Sequence, residues 1–126
     1  MSDRIIIRDL QVFARHGVLP EEAVLGQRFA VDITAHLDLR PAGRSDDLAL
    51  SVSYADMVAR VLATLTERRF ALLEAAAEAA AEELLSQFPA IESVEVELRK
   101  PAAPIDAIFG HVGVAITRRR DARGGG

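Results

Sequence analysis

The sequence predicts an α+β fold in two layers, an antiparallel four-stranded sheet with two helices on one of its faces. Two observations predict this class. Apolar and polar residues alternate in two stretches near the start of the chain and in two near its end, which is the period of strands with one buried face. Between them, apolar residues recur at helical spacing over much of residues 54–87. The predicted order of elements is therefore ββααββ.

The first two strands form a predicted hairpin. The segment from Gln27 to Leu39 alternates without a break, so we expect a long strand that is apolar on one side. Arg4 to Arg15 is also rich in residues that favour strands, although its alternation is less regular. Residues 16–26 contain Gly17 and Pro20 and are predicted to be a long hairpin loop.

Two helices follow an irregular connection at residues 41–50. Ser53 has the pattern of an N-cap, because an acidic residue stands three positions later and an apolar helical pattern follows. The first helix is predicted from about Tyr54 to Arg68. The second begins near Leu72 and continues to about Gln87, because Phe88-Pro89 ends it.

The last two strands flank a proline-containing loop. Ser93 to Lys100 alternates again, and Lys100 itself falls on the apolar face of that strand. His111 to Arg118 is the predicted last strand. We expect a single domain over residues 1–118 and a disordered tail over residues 119–126, which are rich in Arg and Gly.

The predicted sheet has a polar face and two open edges. The polar face carries mostly charged residues and is expected to meet water: Asp32, Thr34, His36, Asp38, Glu95, Glu97 and Arg99. Edge strands leave backbone groups unpaired, and a closed ring of identical subunits would pair them. We therefore expect a homo-oligomer.

Composition limits the classes of function. A chain of 126 residues, half of them apolar, is predicted to form one globular domain. The absence of Cys removes disulfides and thiolate chemistry, and the net charge of −4 argues against a nucleic-acid partner. No apolar run approaches the ~20 residues of a membrane span, and no signal-peptide pattern is present. We expect a cytoplasmic protein without a membrane partner.

The motifs of metal and nucleophilic enzymes are missing. The histidines His16, His36 and His111 lack the local spacing of metal ligands, so no metal is predicted. What remains is acid–base chemistry at the ends of elements and in loops: Glu22, Tyr54, Glu74 and Lys100.

Lys100 stands out because it is the only lysine among the fifteen basic residues. An amine can lose its proton when it is partly buried, whereas a guanidinium cannot. Taken singly, each of the four candidates also has a structural explanation. Lys100, for example, could simply extend its amine from the strand end to water.

Five motifs in combination make the chain resemble a known family: HGVLPEE, GQRF, SYAD, LLE and KPAAP, in this order. The chain resembles the dihydroneopterin aldolases of folate biosynthesis over nearly its whole length, from IIIRDLQV to GVAITR. The resemblance implies the tunnelling fold, in which four ββααββ subunits join their sheets into a ring. Two rings would stack as an octamer, with active sites at the interfaces between subunits.

The resemblance also implies roles for the candidate residues. Glu74, helped by the backbone of Leu73, would hold the amino-pyrimidinone edge of the pterin, because a carboxylate accepts two parallel N–H bonds there. Tyr54 would come from a neighbouring subunit, stack on the ring and take part in proton transfer. Glu22 would lie beside the hydroxylated side chain of the substrate, and Lys100 would be the catalytic lysine. Glu21 precedes Glu22, so this assignment depends on the spacing to Gly26-Gln27.

The implied reaction is a retro-aldol cleavage of dihydroneopterin to hydroxymethyl-dihydropterin and glycolaldehyde. The dihydropterin ring contains an imine that can accept the electron pair, so the implied enzyme is a lyase that needs no cofactor, metal or Schiff base. One alternative is an epimerase of dihydroneopterin or its triphosphate on the same scaffold. Another is a non-catalytic pterin-binding or structural ring protein, which would not need the proton-transfer residues Glu22, Tyr54 and Lys100.

Overall fold

A computed structural model describes residues 3–120 and confirms the two-layer α+β class. Strands β1 to β4 cover Arg4–Ala14, Gln27–His36, Ser93–Lys100 and Val112–Arg119. They form one antiparallel sheet in the order β1-β2-β3-β4, so β1 and β4 are its edges. Helices α1 to α4 cover Pro20–Leu25, Arg40–Ser45, Tyr54–Glu67 and Leu73–Gln87, with a 3-10 turn at Leu48–Leu50. Within residues 3–120, no helix is long and apolar enough to cross a membrane.

The core lies between the sheet and helices α3 and α4. The inward side chains of β2 are completely buried: Phe29, Val31, Ile33 and Ala35. Helix α4 packs against β3, β4 and α3, and it buries four alanines completely: Ala76, Ala77, Ala80 and Ala81. Because alanine projects little beyond the backbone, α4 can lie close to its neighbours.

The predicted ends of the two long helices are confirmed to within a residue. Ser53 caps α3, since its Oγ accepts the Asp56 N–H at 3.2 Å. Helix α4 starts at Leu73 and stops at Gln87, before the Phe88-Pro89 pair. Both helices therefore follow from local sequence signals.

Strand β2 ends at His36, three residues before the predicted end at Leu39. The Leu37 N–H still donates to the Asp3 carbonyl oxygen at 3.3 Å, but the Leu39 N–H donates to the Asp3 carboxylate at 3.1 Å. Helix α2 then begins, with Pro41 in its first turn. The apolar alternation continues past the strand because Leu37 remains buried after the backbone has left the ladder.

Short helices lie in both the predicted hairpin loop and the predicted irregular connection. Pro20 begins α1 inside the predicted hairpin loop, and two glutamates occupy its first turn. Proline at the first helical position followed by acidic residues is a helix-start signal. The connection after β2 likewise holds α2 and the 3-10 turn.

A bulge in β1 explains its irregular alternation. Arg8 and Asp9 together lie opposite Asp32, and Asp9 has a φ of 56°. The Asp9 N–H donates to Oδ1 of Asp32 at 2.7 Å, which stabilises this left-handed conformation. Before the bulge the inward side chains of β1 have odd residue numbers, as at Ile7, which pairs with Ile33. After the extra residue they have even numbers, as at Leu10, which pairs with Val31.

The polar face of the sheet is less open to water than we expected. Arg8 donates to Oγ1 of Thr34 at 2.9 Å, and Thr34 is buried. Arg99 is also largely covered and forms ion pairs of 2.8–3.0 Å with three carboxylates: Asp9, Asp32 and Glu97. Charged side chains on this face therefore cover one another.

The end of the chain differs from the predicted boundary at residue 118. Arg119 belongs to β4, and Arg120 donates hydrogen bonds to the carbonyl oxygens of Leu85, Phe88 and Ile91. The rest of the predicted tail, residues 121–126, lies outside the described residues.

Candidate active site

The structure brings two of the predicted site residues into direct contact. Nζ of Lys100 donates to Oε2 of Glu22 at 2.7 Å, although the two residues are 78 positions apart in the sequence. Both side chains are nearly buried, with 8% of each residue exposed. Lys100 ends β3 on the apolar face of the sheet, as its alternation predicted, and Glu22 lies in α1. The neighbouring Glu21 is exposed, so Glu22 is the glutamate of this pair that contacts Lys100.

Further hydrogen bonds hold the Glu22 carboxylate in place. Oε1 accepts the Leu19 N–H at 3.2 Å, and Oε2 accepts from Nε2 of Gln27 at 3.0 Å. Burial opposes ionisation of Glu22. The hydrogen bonds from Lys100, Leu19 and Gln27 nevertheless outweigh burial and hold its pKa below the ordinary value. Glu22 is therefore a carboxylate at neutral pH.

Gly17 leaves room for this carboxylate. Its φ is 148°, and a Cβ at this position would come within 2.2 Å of Oε1 of Glu22. A side chain here would both strain the backbone and collide with Glu22. The glycine of the HGVLPEE motif is thus explained by the position of its glutamate.

An open cavity of about 250 Å³ lies beside the ion pair. Glu21, Glu22 and Gln27 provide polar groups on its wall, and the remaining lining residues are apolar: Leu19, Leu25, Gly26, Ala102 and Pro104. Such a mainly apolar cavity with a few polar groups is typical of small-molecule sites. Glu22 thus belongs to the wall of this cavity, and Lys100 is bonded to it from behind that wall.

Glu74 and Leu73 form the first turn of α4, as predicted. Glu74 is exposed, and within residues 3–120 its carboxylate makes no hydrogen bond or ion pair. Glu78, one turn later, instead binds the Arg118 guanidinium at 2.7 Å. Glu74 therefore differs from the next glutamate of the helix in having its acceptor oxygens available.

The start of α4 lies near the Lys100–Glu22 pair. Phe70 is bonded to the loop before Glu22, since its carbonyl oxygen accepts the Gly17 N–H at 3.0 Å. Glu74 follows Phe70 by four residues, which limits their separation to about 14 Å of chain. Leu73, Glu74 and the Lys100–Glu22 pair thus lie at the same end of the subunit.

Tyr54 lies at the opposite end. It begins α3, whose first turn shares a surface groove with Gln87 and Phe88 at the end of α4. Helix α4 has 15 residues, so Glu74 and the end of that helix are about 20 Å apart. Tyr54 is 69% exposed and does not join the other candidates within one subunit.

Three residues around the site had no predicted role: Gln27, His16 and Arg69. Gln27 belongs to the GQRF motif, and its position near Glu22 was the available signal. His16 and Arg69 bind the Phe70 segment to the loop before α1, and no local pattern indicates such a contact. Across the part of the chain that the structure describes, no three His, Cys, Asp or Glu side chains are grouped to hold a metal ion.

Comparisons with known proteins identify the family of the chain. The profile of the dihydroneopterin aldolase family matches residues 5–117. The chain is 55% identical to the dihydroneopterin aldolase of Methylorubrum extorquens, over 95% of this chain and 92% of that protein.

Two solved structures share the fold. One is Escherichia coli dihydroneopterin aldolase in complex with neopterin, with a TM-score of 0.84 and 39% identity over 92% of this chain and 98% of that one. The other is the Burkholderia thailandensis dihydroneopterin aldolase bound to guanine, with a TM-score of 0.76 and 26% identity over 94% of this chain and 92% of that one. The chain described here therefore belongs to the dihydroneopterin aldolase family.

Proposed function

We propose that this chain is a lyase that cleaves dihydroneopterin to hydroxymethyl-dihydropterin and glycolaldehyde. One observation carries the proposal: the buried ion pair of 2.7 Å between Lys100 and Glu22 beside an open cavity. A titratable pair in such a place can transfer protons to and from a ligand. Family membership and the relative at 55% identity support dihydroneopterin as the substrate.

In the proposed mechanism, Lys100 first loses a proton to solvent. Its neutral amine then takes the proton of the side-chain hydroxyl group next to the scissile carbon–carbon bond. As that bond breaks, glycolaldehyde leaves with a new carbonyl group, and the electron pair enters the ring imine to give an enamine. The ammonium group returns its proton to the enamine carbon, which forms the hydroxymethyl product and regenerates the amine. Glu22 stabilises the ammonium in the intervening state.

Glu74 and the Leu73 backbone are the proposed anchor for the pterin ring. Neopterin and guanine, the molecules bound in the two structures above, share an amino-pyrimidinone edge. A carboxylate with available oxygens can accept two parallel N–H bonds from that edge. The exposed position of Glu74 at the start of α4, near the cavity, supports this role.

We further propose that Tyr54 of a neighbouring subunit completes each site in a cytoplasmic octamer. The position of Tyr54 at the far end of α4, whose length puts Glu74 about 20 Å from that end, supports this arrangement. So do the two edge strands, because β1 of one subunit can pair with β4 of the next around a ring. Light scattering should give a mass close to eight times 13.6 kDa, and a stable, active monomer would contradict the proposal.

A product assay tests the reaction. Purified protein is incubated with dihydroneopterin, and glycolaldehyde, hydroxymethyl-dihydropterin and the epimer of the substrate are measured together. The proposal predicts equal amounts of the first two products. Release of the epimer without glycolaldehyde would assign the chain to epimerisation, and binding without either product would make it a pterin-binding protein.

The anchoring role of Glu74 has its own test. Glu74→Gln keeps the shape of the side chain but replaces one acceptor with a donor and removes the charge. We expect neopterin affinity to fall about tenfold to a hundredfold, with a smaller change in the single-turnover rate at saturating substrate. Glu82→Gln, an exposed position on the same helix, is the matched control. Unchanged affinity with a collapsed rate would make Glu74 a catalytic group instead.

A further inference from the structure

His16 is a completely buried histidine to which the proposed mechanism assigns no part. It follows β1, and its ring lies between two phenylalanines, with centroids 5.3 Å from Phe29 and 5.4 Å from Phe70. Nδ1 of His16 accepts the Phe70 N–H at 3.0 Å. A buried imidazole that accepts a backbone N–H at Nδ1 carries no proton on that atom, so the ring is held in its neutral form.

Phe70 and its neighbour are bound to the His16 segment at several points. The Gly17 N–H donates to the Phe70 carbonyl oxygen at 3.0 Å, so both polar groups of the Phe70 backbone are engaged. The Arg69 guanidinium donates to the carbonyl oxygens of Arg15 at 2.9 Å and Gly17 at 2.6 Å. Residues 69–70 and 15–17 therefore form one hydrogen-bonded unit, which we call the joint, with the His16 ring at its centre.

This unit joins the two halves of the candidate site. On one side, Gly17 contacts the Glu22 carboxylate so closely that no side chain fits between them. Lys100 lies on the same side, because its Nζ is 5.9 Å from the centre of the Phe29 ring against which His16 packs. On the other side, Leu73 and Glu74 follow Phe70 by three and four residues, respectively.

We propose that His16 is a positioning residue of the active site: by holding the Phe70 N–H at Nδ1, it fixes the segment that leads to Leu73 and Glu74 relative to the Glu22–Lys100 pair. The acid–base pair and the pterin anchor belong to different elements, α1 with β3 and α4, respectively. A fixed joint between them sets where the reacting side chain of a ligand lies when its ring is anchored. The catalytic consequence rests on the proposed function, whereas the joint itself does not.

The charges around His16 support the neutral form. Burial lowers the pKa of His16, and the Leu65 backbone offsets this only in part. The cations of Arg69, on the α3–α4 connection, and Lys100, on β3, lower it further. A second proton would also place a donor at Nδ1 facing the Phe70 N–H, which would break the joint.

The test compares two substitutions of His16. His16→Leu keeps an apolar side chain of similar volume but removes the acceptor, whereas His16→Asn can place its amide oxygen near the position of Nδ1. In His16→Leu we expect hydrogen exchange of the Phe70 amide to accelerate about tenfold to a hundredfold, with little change in β2 and β3. We expect neopterin affinity to fall about tenfold, and His16→Asn to restore most of both properties.

A second variant covers the case in which His16→Leu does not fold. Arg69→Met removes the three carbonyl contacts of an exposed side chain, to Arg15, Gly17 and Leu19, and we expect a smaller acceleration of exchange confined to residues 68–74. Arg44→Met, at an exposed position on α2, is the matched control and should change nothing in this segment.

Two outcomes would overturn the positioning role. One is wild-type exchange at Phe70 together with wild-type neopterin affinity in a folded His16→Leu protein. The other is acceleration of exchange spread evenly over the sheet, which would mean that His16 contributes only global stability. A wild-type protein that binds no neopterin and releases no glycolaldehyde would overturn the proposed function, and the exchange of the Phe70 amide would still decide the role of His16 in the joint.

Discussion

Arg99 and Lys100 are consecutive residues at the end of β3, yet their cations have different surroundings. Arg99 points to the polar face of the sheet and forms ion pairs with three carboxylates: Asp9, Asp32 and Glu97. Lys100 points to the apolar face and forms an ion pair with Glu22 beside an open cavity. The two side chains lie on opposite faces of the sheet only because side chains alternate in direction along a strand.

The difference teaches how one strand end can serve both structure and chemistry. The hydrogen bonds from Arg99 to Asp32 and then to Glu97 raise the pKa of its guanidinium above an already high value, so this cation keeps its proton. Its network fastens the β1 bulge to β2 and β3. Lys100 has one carboxylate partner and an amine that can be deprotonated, so it is suited to proton transfer.

The largest expected effect comes from making the two cations alike. Lys100→Arg keeps the charge and nearly the reach, but a guanidinium cannot act as a base near neutral pH. We expect the single-turnover rate of cleavage to fall about 10²- to 10⁴-fold, and Lys100→Ala to be similarly slow. Neopterin affinity must be measured for each variant, because the larger guanidinium could displace the ligand.

The alternative role of Lys100 orders these variants differently. A lysine that only stabilised a developing charge would tolerate Arg better than Ala. Near-normal single-turnover rates in Lys100→Arg would therefore show that Lys100 does not transfer protons. Lys100 would then act only through its positive charge, which an arginine also carries.

The next largest effect concerns the buried carboxylate. Glu22→Gln leaves the Lys100 ammonium without a charged partner, and we expect the free energy of unfolding at pH 7 to fall by about 3 kcal/mol. Because the folded state lowers the pKa of Glu22 below its ordinary 4.5, the stabilisation is complete above pH 4.5 and is lost as the pH falls through the lowered value. Urea unfolding of both proteins should show their difference shrinking with acid. A difference that is constant with pH would mean that the ion pair does not stabilise the fold.

The smallest effect is expected on the polar face. Arg99→Lys keeps the charge but loses the planar group that reaches several carboxylates at once, so we expect a loss of about 1–2 kcal/mol in urea unfolding. The single-turnover rate of the folded protein should stay near the wild-type value. A large loss of rate in a stable Arg99→Lys protein would mean that the two faces of β3 are functionally coupled.

The sequence predicted those positions of the candidate site that depend on the alternation of a strand or on a helix cap. The alternation of β3 placed Lys100 on the buried face, and the Ser53 cap placed Tyr54 at the start of a helix. The contact between Lys100 and Glu22 was not predictable in this way, because 78 residues separate them and only the folded loop brings them together. The resemblance to a known family assigned both residues to one site, but it did not predict their direct contact.

Other misses have similar physical reasons. The bulge at Asp9 depends on a hydrogen bond to Asp32 across the ladder, so a pattern of single residues cannot reveal it. Helix α1 has only six residues, which is too short to show apolar residues repeating at helical spacing, although Pro20 indicated where the helix starts. The position of Tyr54 at the far end of α4 from Glu74 could have been predicted, because helices joined by a short connection run antiparallel and the start of α3 then lies beside the end of α4.

The alanines of α4 restrict how this chain can diverge over evolutionary time. Ala76, Ala77, Ala80 and Ala81 are completely buried, so an added methyl group at any of them would overpack the core by about 1–3 kcal/mol. Glycine, the only smaller residue, would destabilise the helix by about 1 kcal/mol at each position. Almost every first mutational step on this face is therefore harmful, whereas exposed positions such as Ala75 and Glu82 can drift. Since a larger residue would push α4 away from the sheet and carry Glu74 with it, selection for the fold also preserves the geometry of the proposed pterin anchor.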